Sequence, residues 1–291
     1  MLLNLLRIGE TEMKKLLISI GKALFYFLVY FAVQFAFILG YVILLMVIGK
    51  IDIMSGDVQK VQDQMQKYVM GNVVAVTVVT NTLTILAFLL ITLIRKHKIK
   101  EAFYLNHVPA RSVILIMILG IILNFTVSYG MDFFSRISPA FEKSMKNYQE
   151  YSSFMQDSSL LPLVILTVVS APLTEEILLR CFIFTKLKNG MPQAIAVIIT
   201  SITFGLLHGQ ILWAAYAAVL GSILNIVFIK YDSLYANLSM HFAFNAASFI
   251  VVPALYDVTT VVEGIILGIC SVISVTFIIL ILTKKRTPKI L

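Results

Sequence analysis

The sequence predicts an all-α fold, a polytopic transmembrane helical bundle of about eight spans. Three observations carry that expectation. Hydrophobic residues make up 59% of the 291, and mean hydropathy is +0.94. Only 13% of residues are charged, against roughly 25% in an average soluble domain. Apolar runs of about 18 or more residues recur along the chain, each long enough to cross a hydrocarbon core of roughly 30 Å.

The start, MLLNLLRIGETEMKKLL, scatters charges among its leucines and offers no small-residue cleavage site. It does not read as a signal peptide, and the first span is expected to remain in the mature protein. Spans are expected at 20–49, 70–94 and 112–132 within an N-terminal block of residues 1–159. A core over 160–250 holds four more, at 160–187, 192–209, 212–229 and 233–252, and 251–291 supplies a last span (259–282) with a basic tail. Between the third and fourth spans, Phe134, Ile137, Phe141, Met145 and Tyr148 recur at steps of three and four with Arg136, Glu142, Lys143 and Lys146 between them. That is the pattern of an amphipathic interfacial helix, serving either as a lid or substrate guide or as a connector resting on the membrane. In the sixth span Ala214, Ala218 and Ser222 lie at four-residue steps beside Ala217 and Gly221, a spacing that lets helices approach closely.

An even number of spans puts both ends on one side. Counting Lys and Arg by loop gives 16 on the side of the termini and 6 on the other, with Arg180 inside a span completing the 23. The positive-inside rule then expects both termini in the cytoplasm, and the Lys- and Ile-rich composition leads to the expectation of a plasma membrane of bacterial type. The net charge of +8 is thereby explained by topology and requires no nucleic acid. Cys181 and Cys270 sit in apolar segments with no CxxC partner, so they read as small core hydrophobes and not as a disulfide or zinc knuckle.

The fourth span is the anomaly. APLTEEILLR, residues 171–180, places Glu175, Glu176 and Arg180 in an otherwise apolar helix, where each unrelieved charge costs roughly 2.5–3.5 kcal/mol. Glu176 and Arg180 stand at i and i+4 in the favourable order and can pair. Glu175, about 100° around the helix, is left over. Pro172 removes a backbone donor just upstream and can open the helix. A lone glutamate there is suited to act as a general base on water.

Other polar residues can meet it. FGLLH carries His208, and HFAFN carries His241 and Asn245 at i and i+4. With a rise of about 1.5 Å per residue, Glu175 lies about 20 Å from the cytoplasmic edge, His208 about 24 Å, His241 about 12 Å and Asn245 about 18 Å. His97 and His107 fall in the basic loop RKHKIKEAFYLNHVPAR and are expected to face water. Two schemes fit the four inner residues. In one, Glu175, His208 and His241 hold Zn2+ that activates water. In the other, without metal, Glu175 and His208 deprotonate the water while His241 and Asn245 donate hydrogen bonds to the oxyanion.

At these residues the sequence resembles the CAAX-protease and bacteriocin-processing (CPBP, or Abi) family of intramembrane proteases. EEILLR is similar to its EExxxR motif, FGLLH to FxxxH, and HFAFN to an HxxxN form of the last motif. The resemblance covers about 160–250. It implies eight helices around a cavity, Glu175, His208, His241 and Asn245 in catalytic positions, Glu176 and Arg180 as structural partners, and Phe204 packed beneath the second motif. Zinc and metal-free mechanisms are both argued for in the family; Asn245, a poor metal ligand, favours the latter. No HExxH, GxGD or GxSG marks another intramembrane protease class, and Asp232 in KYDSL is expected to start a helix at the interface. The expected activity is hydrolysis of a membrane-bound peptide or protein, such as a bacteriocin or pheromone precursor. A non-proteolytic immunity or scaffolding protein is the alternative. A proton-relaying transporter is disfavoured, since only one span is both charged and broken by Pro.

Overall fold

A computed structural model describes residues 9–153, 158–254 and 258–283, with the side chains of 251–254 left aside. The basic tail and Arg7, both used in the topology count, lie outside the described residues. Among those described there is no strand. Among the described residues ten helices longer than a single turn follow one another, with the one-turn helix Ile99–Ala102 between the third and fourth: α1 (Glu10–Val47), α2 (Val58–Tyr68), α3 (Val73–Ile94), α4 (Ala110–Ile137), α5 (Pro139–Ser152), α6 (Leu160–Leu187), α7 (Gln193–Leu206), α8 (Ile211–Tyr231), α9 (Leu234–Ala254) and α10 (Thr260–Thr283).

Among the described residues six segments are long and apolar enough to cross a membrane: α1, the continuous stretch Val58–Ile94, α4, α6, α8 and α10. The other two expected spans are also helical. α7 is apolar but short at 14 residues, and α9 has 21 residues but carries Asn237, His241 and Asn245 along one stripe. The chain is a multi-pass helical bundle. Phe35, Ile198, Val219 and Ile265 are exposed, as expected where the solvent is lipid and not water.

α4 packs along α9 and α10, and α7 along α8, while α6 runs among α1, α3, α7 and α9. Small residues set the closest crossings. A Cβ on Gly120 of α4 would lie 2.4 Å from the Met240 carbonyl oxygen of α9, and one on Gly221 of α8 would lie 2.9 Å from Phe204 of α7. The small-residue stripe of the sixth span thus does what its spacing predicts. Gly205, facing Ala214 and Ala218, is its counterpart on α7.

Two local readings are corrected. The amphipathic helix begins at Pro139, not near Phe134: Phe134 and Ile137 complete α4. Ser138 caps α5 by accepting from the Phe141 N–H, and Pro139 at the first turn has no N–H to lose. Arg136 is consequently not a solvated charge of that helix; it pairs with Asp132 at 2.8 Å and with buried Glu263 of α10 at 2.9 Å. Asp232 ends α8 in a left-handed conformation and does not start α9.

The loop between α3 and α4 braces that α8–α9 junction. Asn106 donates to the Asp232 carbonyl and accepts from the Ser233 hydroxyl, both at 2.6 Å, and Leu234 N–H reaches the Tyr104 carbonyl at 2.9 Å. Burial, with the Asp232 charge nearby, pushes the Tyr104 hydroxyl up to about 12. His97 and His107 are exposed, as expected.

Candidate active site

The site is built around a broken helix. Within α6, π-helical turns at Ile165–Ser170 and Ile177–Phe184 flank an α-helical stretch, Ala171–Glu176. Single π-turns of this kind concentrate at functional sites. Pro172 explains part of the pattern. The Ala171 N–H bonds back five residues to the Leu166 carbonyl, and in that register the Thr167 carbonyl would be offered to residue 172, which as proline has no N–H. The Asn245 side chain fills the gap, its Nδ2 donating to the Thr167 oxygen at 2.7 Å. A carbonyl freed in an apolar surrounding needs such a partner.

The two acids part company as the sequence predicts. Glu176 is fully buried and held from three sides: Arg180 Nε at 3.1 Å, Asn237 Nδ2 at 2.9 Å and His241 Nδ1 at 2.9 Å. Arg180 is also fully buried. Its Nη2 donates to the Gly221 carbonyl at 3.2 Å, and its guanidinium lies 4.9 Å from the Phe204 ring centroid. Buried ions survive only when paired and hydrogen-bonded. Glu175, by contrast, keeps 24% of its side chain exposed and lies with Oε2 3.7 Å from His241 Nε2.

His241 therefore has a different acid at each nitrogen. Glu176, ionised beside Arg180, accepts the proton of Nδ1, which turns Nε2 toward Glu175. Phe204, buried between the motifs, meets His241 edge to face at 5.7 Å and His208 at 5.0 Å. His208 Nδ1 lies 2.8 Å from the Phe204 carbonyl oxygen, one turn back. That bond assigns the proton to Nδ1 and leaves Nε2 as the free nitrogen.

The structure gathers the sequence-predicted Glu175, Glu176, Arg180, Phe204, His208, His241 and Asn245 around the broken helix, and adds Asn237, which sequence reasoning did not name. Asn237 spends its amide on Glu176 and the Leu224 carbonyl, both at 2.9 Å. The signal was present: Asn237, His241 and Asn245 stand at four-residue steps on one face of α9. Tyr30 of α1 and Tyr216 of α8, both within electrostatic reach of Glu175, were also missed. An isolated tyrosine in an apolar span has no spacing to betray it.

Zinc needs three or four ligands drawn to about 2.0–2.2 Å of one point. Among the described residues, no three His, Cys, Asp or Glu side chains are grouped to hold a metal ion. Glu175 and His241 approach each other, but His208 does not complete a set with them.

A polytopic helical bundle with an accessible carboxylate and imidazoles at a break in one span has the makings of a hydrolytic site inside a membrane. Residues 157–247 match the family model described as type II CAAX prenyl endopeptidase Rce1-like, a model of the CPBP family. At the level of the family this is an endopeptidase domain. No curated protein and no solved structure matches the chain.

Proposed function

We propose that this protein is an intramembrane endopeptidase that hydrolyses a peptide bond in a membrane-associated peptide or protein, with Glu175 activating the attacking water. The observation that carries the reading is the contrast between adjacent acids: Glu176 is locked against Arg180, Asn237 and His241, while Glu175 stays accessible. Only an accessible carboxylate can reach a water and a substrate carbonyl.

In this reading Glu175 takes the proton of the water as it attacks the carbonyl carbon. His208, with Nε2 free, helps to orient that water. Glu175 passes that proton to His241 Nε2, 3.7 Å away, and the oxyanion receives hydrogen bonds from the Nε2–H so formed and from the amide N–H that Asn245 does not spend on Thr167. Glu176 stabilises the resulting imidazolium. The proton then returns through Glu175 to the leaving amine, and the peptide bond has been exchanged for a carboxylic acid and an amine.

The scheme runs without metal. The missing third ligand supports it, as does an amide in the last motif position. The substrate class is a membrane-bound peptide or protein tail, and the protein is read as residing in a plasma membrane with both termini cytoplasmic. The test compares peptide termini in membranes of cells carrying the wild type or Glu175→Ala at equal abundance. Termini found only with the wild type are expected. Identical profiles together with a phenotype that survives the substitution would replace the protease reading with an immunity or scaffolding role.

A further inference from the structure

The connector helix α5 lies outside the matched family domain, yet its aromatic face reaches the site. Tyr148 meets Trp213 of α8 edge to face at 5.8 Å, and Tyr151 meets the same indole at 6.2 Å. Trp213 in turn lies 5.2 Å from the His208 imidazole, at 48° to it. His208 is thus held between Phe204 on one contact and Trp213 on another.

Three further features fit the arrangement. Gln210 caps α8 and accepts from the Trp213 N–H at 2.8 Å, which fixes the backbone under the indole. Tyr216 stands one turn beyond Trp213, within electrostatic reach of both the Tyr148 hydroxyl and Glu175. Gly209, next to His208, has a φ of +74°, and a Cβ there would lie 2.7 Å from the Tyr151 hydroxyl oxygen. Only glycine satisfies both conditions without strain or displacement of the tyrosine.

We propose that Tyr148 and Tyr151 of the connector, acting through Trp213, are positioning residues that set the plane of the His208 imidazole. Edge-to-face pairs of this kind contribute specific geometry beyond their burial. The inference rests on the reading of His208 as part of the hydrolytic site, but its structural half can be read without a substrate. Trp213 is the one tryptophan of the chain, so all indole emission reports this contact.

The experiment is a pH titration of Trp213 emission on the full-length protein in lipid vesicles. An imidazolium quenches a neighbouring indole, so the wild type is expected to lose emission as His208 gains its proton, and His208→Gln is expected to abolish that step. The pair Tyr148→Ala with Tyr151→Ala should also lose the step at unchanged helix content, and Phe at both positions should restore it. Tyr151 is 52% exposed, so Tyr151→Ala alone serves as a variant that folds, and it should weaken the step. A full His208-dependent step in the alanine variants would overturn the proposal, and so would a wild-type step indifferent to His208→Gln. On a peptide whose cleavage depends on Glu175, Tyr151→Ala should lower kcat by about ten-fold with KM little changed, since misaligned groups lose rate rather than binding. Should no such peptide exist, the emission result still decides the clamp, and the protease reading fails separately.

Discussion

Glu175 and Glu176 are neighbours with opposite fates, and the difference comes from the roughly 100° that separates successive residues around a helix. Glu176 faces Arg180, Asn237 and His241 and is removed from solvent; Glu175 stays partly exposed beside His241 Nε2, within electrostatic reach of Tyr30 and Tyr216. Removing one partner of a buried charged pair leaves the other uncompensated and costs about 3–5 kcal/mol. Glu176→Gln is therefore expected to lower the melting temperature of the purified protein sharply, whereas Glu175→Gln should leave it nearly unchanged. Thermal unfolding of the two variants in the same micelles checks this. The split was legible in the sequence because an i, i+4 acid–base pair leaves the adjacent acid unmatched. The hold of Glu176 on His241 was not, because it joins two helices 65 positions apart and nothing in a single sequence fixes that register.

At the scale of elements, the fourth span illustrates what residue patterns reveal and what they hide. Pro172 announces a break, yet the π-helical turns on both sides have no signature in residue preference. The one at Ile165–Ser170 follows from how backbone bonds are redistributed around a missing N–H. Asn245 is the partner of that defect. Asn245→Ala should cost about 1–3 kcal/mol by leaving the Thr167 carbonyl unsatisfied. Pro172→Ala restores a backbone N–H that can serve the same carbonyl, so the cost of Asn245→Ala should shrink in that background. A double-mutant cycle of unfolding free energies measures the coupling, and strict additivity would remove the link. Where α7 crosses α8, Gly221→Ala drives a Cβ into Phe204 and should destabilise by about 1–3 kcal/mol; the same melts report it.

For the whole molecule, hydropathy made the helical bundle legible before any coordinates, because lipid leaves the backbone few alternatives to helix. It was least informative where function concentrates: α9 is interrupted by the polar stripe Asn237, His241 and Asn245. The start of the amphipathic connector was misplaced because the periodicity of α4 runs into that of α5, and only the Ser138–Pro139 cap separates them. Two expectations belong to this scale. A tag after Leu291 should be cleaved by protease only in membranes opened to the cytoplasmic side, since the eight-span reading puts 16 of the lysines and arginines on the side of the termini and 6 on the other. Prolonged chelation should leave cleavage intact, because water activation is assigned to Glu175; activity lost to chelation and recovered with zinc would require a metal ligand set that the described residues do not form.

The most direct test of the account is the rate at which purified wild type and Glu175→Gln cleave the peptide found from the wild-type-only termini, with unfolding followed on the same samples. Loss of cleavage by Glu175→Gln at an unchanged melting temperature is the predicted result. Cleavage that persists in a folded Glu175→Gln protein would contradict the assignment of the attacking water to Glu175 and, with it, the division of labour between the two acids.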